Sequence, residues 1–177
     1  MRTNAPELGP ELLVDFLNTL DVEEGTDELE DAAAFGGWAD RHGVAAGDAA
    51  EAKRVRDALR SVIDGESASL PPLELETSCE GRSVEITART AAEAAVASSV
   101  ILSIQGKLGR VKLCGAEDCR WAFYDQSRNG SRTWCSMGVC GNRQKARTYR
   151  ARQDGRPADG SAGVSERSAA SRTDQRG

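Results

Sequence analysis

The chain has 177 residues, with 23 Lys/Arg against 28 Asp/Glu and a formal net charge of −5. That length admits one ordinary domain and a small module. No run approaches the roughly 18 apolar residues of a membrane span, and no N-terminal stretch resembles a signal peptide. A cytoplasmic, reducing setting with no membrane partner is therefore expected. A uniform acidic charge would argue against nucleic acid, but the charge is segregated. Residues 1–106 carry 8 Lys/Arg and 21 Asp/Glu, whereas residues 107–152 carry 11 and 3. Phosphate attraction follows local charge, so the basic excess matters more than the total.

In chain order, Gly9–Leu20 places Leu12, Leu13, Phe16, Leu17 and Leu20 on one helical stripe. Asp27 with Glu30 reads as a capping box that opens a second helix to about His42, with Leu29, Ala33, Phe35 and Trp38 inward. Gly36-Gly37 weakens that helix. Asp48 with Glu51 repeats the capping pattern for a helix to about Ile63, with Val55, Leu59, Val62 and Ile63 inward. After a loop ending in Pro71-Pro72, Leu73–Thr77 and Val84–Thr87 alternate as a hairpin around Gly81 with one wet face. Cys79 is expected to be half-buried there. Thr90 with Glu93 starts a helix to about Leu108, whose expected core stripe is Ala94, Ala97, Val100, Ile101, Ile104 and Leu108. Nothing in this stretch forms a nucleophile–base pair or a phosphate loop. An α+β fold follows: a mostly α-helical N-terminal domain (1–109) with a short β-hairpin, then a small stapled hairpin-plus-helix module (110–152). A polar tail (153–177) is expected to be disordered.

The module carries four cysteines in two pairs, Cys114/Cys119 and Cys135/Cys140, with four residues inside each pair and fifteen between pairs. Two short turns can then present four thiolates to one tetrahedral zinc. Disulfides and an iron–sulfur cluster use the same residues, but a reducing compartment disfavours the first and the hairpin-plus-knuckle arrangement the second. Four thiolates close the coordination sphere, so one structural zinc per chain is expected and no catalytic metal. Asn129-Gly130 signals a hairpin turn between the pairs. Five of the eight aromatics lie between Trp121 and Tyr149, where a 40-residue module needs them for packing.

A basic helix follows Cys140. At about 100° per residue, Arg143, Arg147 and Arg150 share one face, Lys145 and Arg152 lie opposite, and Gln144 and Thr148 sit between. The arginine stripe suits phosphate or guanine, and Gln144 suits adenine. Arg143, Gln144, Lys145, Arg147 and Arg150 are the candidate DNA contacts, the opposite face being expected to contribute less.

Arg132-Thr133-Trp134-Cys135-Ser136-Met137 and Cys140-Gly141-Asn142-Arg143 resemble the CGNR zinc finger, as do Cys114, Cys119, Trp121 and Phe123-Tyr124-Asp125. Val14-Asp15-Phe16-Leu17-Asn18-Thr19 resembles the start of the ABATE domain that often precedes it. The resemblance implies a bacterial stress-responsive transcription regulator, with the four cysteines as metal ligands, the finger on double-stranded DNA and the N-terminal domain sensing a small-molecule ligand. A single recognition helix covers a short site, so a homodimer is expected. A protein-interaction adaptor and an RNA-binding protein are the alternatives; an enzyme is not expected.

Overall fold

The computed structural model describes residues 6–154. Helix α1 (Pro10–Leu17) carries Pro at its first turn and buries Leu12, Leu13, Phe16 and Leu17. Eight residues are too few for a helix to persist alone, so packing holds it. It lies on α4 (Ala91–Ile104), where Gly9 N–H donates to Ser98 Oγ at 3.1 Å. A two-residue antiparallel pair, β1 (Leu20–Asp21) with β2 (Thr26–Asp27), makes the next turn.

Asp27 does not open the second α-helix. It caps a single 3₁₀ turn, Glu28–Glu30, and Asp31 caps α2 (Ala32–His42) by accepting from the N–H groups of Ala33 and Ala34. Gly36-Gly37 leaves α2 unbroken, and Gly43 ends it in the left-handed conformation at φ 67°. Leu29, Phe35, Trp38 and Ala39 are buried, while Ala33 faces solvent. Asp48 caps α3 (Ala49–Ile63) as expected, accepting from Glu51 N–H. Its inward face is Ala52, Val55, Arg56, Leu59 and Arg60; Val62 is exposed.

The hairpin is β3 (Glu76–Glu80) with β4 (Ser83–Thr87), its first strand beginning three residues later and its second one residue earlier than the alternation indicates. Leu73 and Leu75 precede it and pack against the core as an extended segment. Beyond them the ribbon stands off the body: Val84 is 71% exposed and Cys79 is exposed rather than half-buried.

Thr90 and Glu93 form a complete capping box for α4. The expected stripe on α4 is wrong in its second half, because Ile104 is 80% exposed and Val100 37%. Burial instead runs around the helix from Ala91 to Ser99, where alanines and serines let both α1 and α3 pack against it. A 3₁₀ turn, Leu108–Arg110, leads into β5 (Val111–Leu113), which pairs antiparallel with β6 (Ala122–Tyr124). Val111 and Ala122 belong to the same apolar core as α1 and α4. One turn of π-helix (Met137–Gly141) then runs into α5 (Asn142–Asp154). The expected disordered tail lies outside the described residues, except for its first two, which end α5. Among the described residues no helix is long and apolar enough to cross a membrane.

Candidate metal centre and its basic helix

The turn of the β5–β6 hairpin is the first knuckle itself, Cys114 to Cys119; Asn129-Gly130 does not join paired strands. Cys114 N–H donates to Trp121 O at 2.8 Å to close the hairpin, and Cys119 N–H donates to Ala116 O at 3.0 Å to curl the knuckle. Asn129-Gly130 lies in a loop organised by Asp125, whose side chain is fully buried. That carboxylate accepts from Lys112 Nζ at 2.8 Å and from the N–H groups of Ser127 and Arg132, both at 2.9 Å. These donors, Lys112 first, hold the Asp125 carboxyl far below its ordinary range. Lys112 also donates to Gly130 O and Arg132 O, so one lysine gathers both ends of the loop.

The loop delivers the second knuckle. Arg132 stacks over the Phe123 ring, 5.0 Å from its centroid, and donates to Cys135 O at 2.7 Å. Gly115 N–H donates to Thr133 O at 2.9 Å and brings the two knuckles together. The sulfurs of Cys114, Cys119, Cys135 and Cys140 then lie within 4.8 Å of one another. Cys135 Sγ is 3.7 Å from that of Cys119 and 3.6 Å from that of Cys140. Zinc–sulfur bonds of about 2.3 Å in a tetrahedron require edges of about 3.8 Å, so the donor set fits zinc.

The protonation chemistry agrees. Burial pushes the Cys135 thiol well above its ordinary value, and it pushes Cys140 up to about 11. At Cys114 burial acts the same way but is outweighed by the N–H groups of Cys135 and Ala116, which lower its pKa. Thiolates this close repel one another, and a divalent cation at their centre removes the conflict. The four cysteines would hold one structural zinc, and four protein ligands would leave no coordination position open.

The residues after the last ligand play separate roles. A Cβ at Gly141 would come within 2.7 Å of Met137 Sδ and 3.2 Å of Trp134 Cδ1, so a side chain there would displace the Met137 side chain and crowd the Trp134 ring. Asn142 Nδ2 donates to Gly138 O at 3.1 Å and pins the π turn. Arg143 turns back toward the rest of the chain, meeting Asp118 Oδ2 at 3.3 Å and Glu23 Oε1 at 2.9 Å. Arg147 reaches Asp118 Oδ2 at 2.6 Å. The Arg147 guanidinium, joined by Arg143, keeps the Asp118 carboxyl below its ordinary value.

Against known protein families, residues 110–153 match the CGNR zinc finger, and residues 11–110 match ABATE, described as "Putative stress-induced transcription regulator". The chain belongs to the ABATE family. A search of curated proteins returns no match. In this ABATE protein the family-like residues Asp15 and Asn18 have visible work. Asp15 Oδ2 lies 2.7 Å from His42 Nε2, and that histidine, at the end of α2, packs on Trp38 with ring centroids 4.3 Å apart. Asn18 Nδ2 donates to Ala122 O at 3.0 Å, while Ala122 N–H donates to Asn18 Oδ1 at 2.7 Å. This amide therefore pairs with β6 as a neighbouring strand would. Arg60 adds a second clamp, donating to Leu17 O and to Arg120 O, each at 2.8 Å. Arg120 sits at φ 53°, and its carbonyl meets Arg60 as the chain leaves the knuckle. The zinc site is thus mounted on the ABATE core rather than tethered to it.

The structure brings together the four cysteines that the sequence spacing singled out. Sequence reading missed Asn18 as a clamp, Asp125 and Lys112 as the loop's organisers, and Asp118 and Glu23 as partners of the arginines. For Asp125 a signal existed: an acid directly after two aromatics, followed two residues later by Ser. For Glu23, 120 residues from Arg143, none did.

Proposed function

We propose that this ABATE protein is a zinc-dependent DNA-binding transcription regulator, with α5 as the element that meets double-stranded DNA. The observation that carries the reading is the junction at Cys140, where a closed four-cysteine site feeds directly into the most basic helix of an acidic chain. A structural zinc supplies rigidity rather than chemistry, and a rigid base under a cationic helix is what groove or backbone binding needs. The candidate contacts read from the sequence, Arg143, Gln144, Lys145, Arg147 and Arg150, all lie on this helix. The N-terminal domain is the regulatory half. A cleft of about 580 Å³ between the start of α1 and the end of α2, lined by Leu8, Pro10, Arg41 and His42, has the size of a small-molecule site. A symmetric dimer acting in the cytoplasm would give two recognition helices and a longer operator.

Selection of bound sequences from a random duplex pool, with zinc-loaded protein, tests this reading. Enrichment of one motif and a steep loss of affinity with salt are the expected results. Absence of salt-sensitive duplex binding ends the reading and leaves the adaptor role. Preference for RNA over DNA of the same sequence moves the partner to RNA.

A further inference from the structure

The structure separates the cations of α5 into two environments. On one side, Arg143 and Arg147 face Asp118 and Glu23 at 2.6–3.3 Å. Two guanidiniums against two carboxylates leave almost no net charge there, and a phosphate arriving on that side meets the carboxylates as well. Arg150, a turn further on, has no carboxylate partner among the described residues. On the other side, Lys145 and Arg152 have no ion-pair partner among the described residues either, and both are exposed. They flank an open groove of about 450 Å³ lined by Trp134, Gly141, Gln144, Lys145, Thr148, Tyr149 and Arg152. Tyr149 is 64% exposed, and the closeness of Gly141 to the Trp134 ring leaves that part of the floor without a side chain of its own.

From this we infer that the groove between Trp134 and α5, rather than the arginine stripe, is the seat of one sugar–phosphate strand of duplex DNA. The inference rests on the DNA-binding reading above and names the face that performs it. The chemistry matches part by part. A nucleic-acid backbone alternates anionic phosphates with largely apolar deoxyribose rings; the groove offers cations at its rim and aromatic surface at its base. Lys145 and Arg152 are seven residues apart, which puts them about 10.5 Å apart along the helix axis, with flexible side chains to reach successive phosphates. Gln144 and Thr148, on the same side, supply uncharged polar groups near the strand. Arg143 and Arg147 then serve a different purpose, since through Asp118 and Glu23 they fix the angle at which α5 leaves the zinc site.

The test is duplex binding by fluorescence anisotropy across 50–200 mM salt, with zinc-loaded full-length protein and a labelled single strand measured in parallel. Loss of one phosphate contact flattens the salt slope by about 0.9, or about 3.5-fold less affinity lost over that salt range. Lys145→Ala and Arg152→Ala should each produce this flattening. Tyr149→Ala should weaken binding at an unchanged slope, because it removes apolar contact and no charge. Arg147→Gln should leave the slope as in the parent. All four positions are exposed, and retained zinc stoichiometry shows that each variant is folded. The inference is overturned if Arg147→Gln flattens the slope while Lys145→Ala and Arg152→Ala do not, or if the single strand binds more tightly than the duplex through the same residues. A parent that binds no duplex overturns the functional reading, and this assignment with it.

Discussion

Replacing Asn18 by Ala tests whether the metal module is built onto the N-terminal core. Asn18 is 8% exposed and Ala122 is 1% exposed. The amide makes two short hydrogen bonds to the Ala122 backbone, one as donor and one as acceptor. Truncation leaves a buried N–H and a buried C=O without partners, each costing about 1–3 kcal/mol. Asn18 is near enough to solvent for water to recover part of this, so the net loss should be about 2–3 kcal/mol. For a chain of this size that is roughly a 5–10 °C fall in Tm. Asn18→Asp is the sharper variant. It keeps the acceptor for Ala122 N–H but replaces the donor with a carboxylate oxygen facing Ala122 O. Although nearly isosteric, it should destabilise at least as much as Ala at pH 7. Urea unfolding at saturating zinc, with the midpoint shifting and the slope unchanged, is the assay. An Asn18→Ala protein within about 0.5 kcal/mol of the parent, or an Asn18→Asp protein as stable as the parent, would refute the clamp.

The zinc should be removable without dismantling the fold. Cys140→Ser should lose the single metal ion by elemental analysis, and with it hydrogen-exchange protection across 135–150, because about 10–16 kcal/mol of binding energy is folding energy in such modules. The Ala122 amide should remain protected, since Asn18 holds it; equal loss of protection at Ala122 and in α5 would contradict this. A second experiment addresses Arg56, which is 1% exposed and grips Asp27 through two hydrogen bonds of 2.5 and 2.9 Å. Burial acts to raise the Asp27 carboxyl, but Arg56, Leu29 N–H and Lys53 outweigh it and hold the pKa below its ordinary value. The pair's contribution is therefore complete above the unfolded carboxylate value of about 3.9 and lost as pH falls through the lower folded one. Arg56→Met should cost about 3–5 kcal/mol at pH 7. Its penalty should shrink at acid pH, because the stranded carboxyl can then take a proton; urea midpoints at pH 7 and pH 4 giving the same penalty would exclude this account.

Local chemistry was legible from the amino acids alone. The ligand spacing announced the zinc site because each knuckle is a four-residue turn, and charge segregation marked the module because charge needs no fold to be counted. Asp48 and Thr90 were readable as caps because each bonds a backbone N–H three residues on. The same rule misled at Asp27, whose carboxylate caps one 3₁₀ turn while also serving Arg56 on another helix. The pattern on α4 also misled, since periodicity assumes one buried face and this helix is buried around most of its first nine residues. What only tertiary structure decided involves partners distant in sequence: Asn18 with Ala122, Arg60 with Arg120, Glu23 with Arg143. Those contacts mount the finger on the core and, with Asp118, pair two of the three arginines on one face of its basic helix. Helical spacing could place three arginines in a row, but which of them already had a carboxylate depended on where the chain brought Asp118 and a turn 120 residues away.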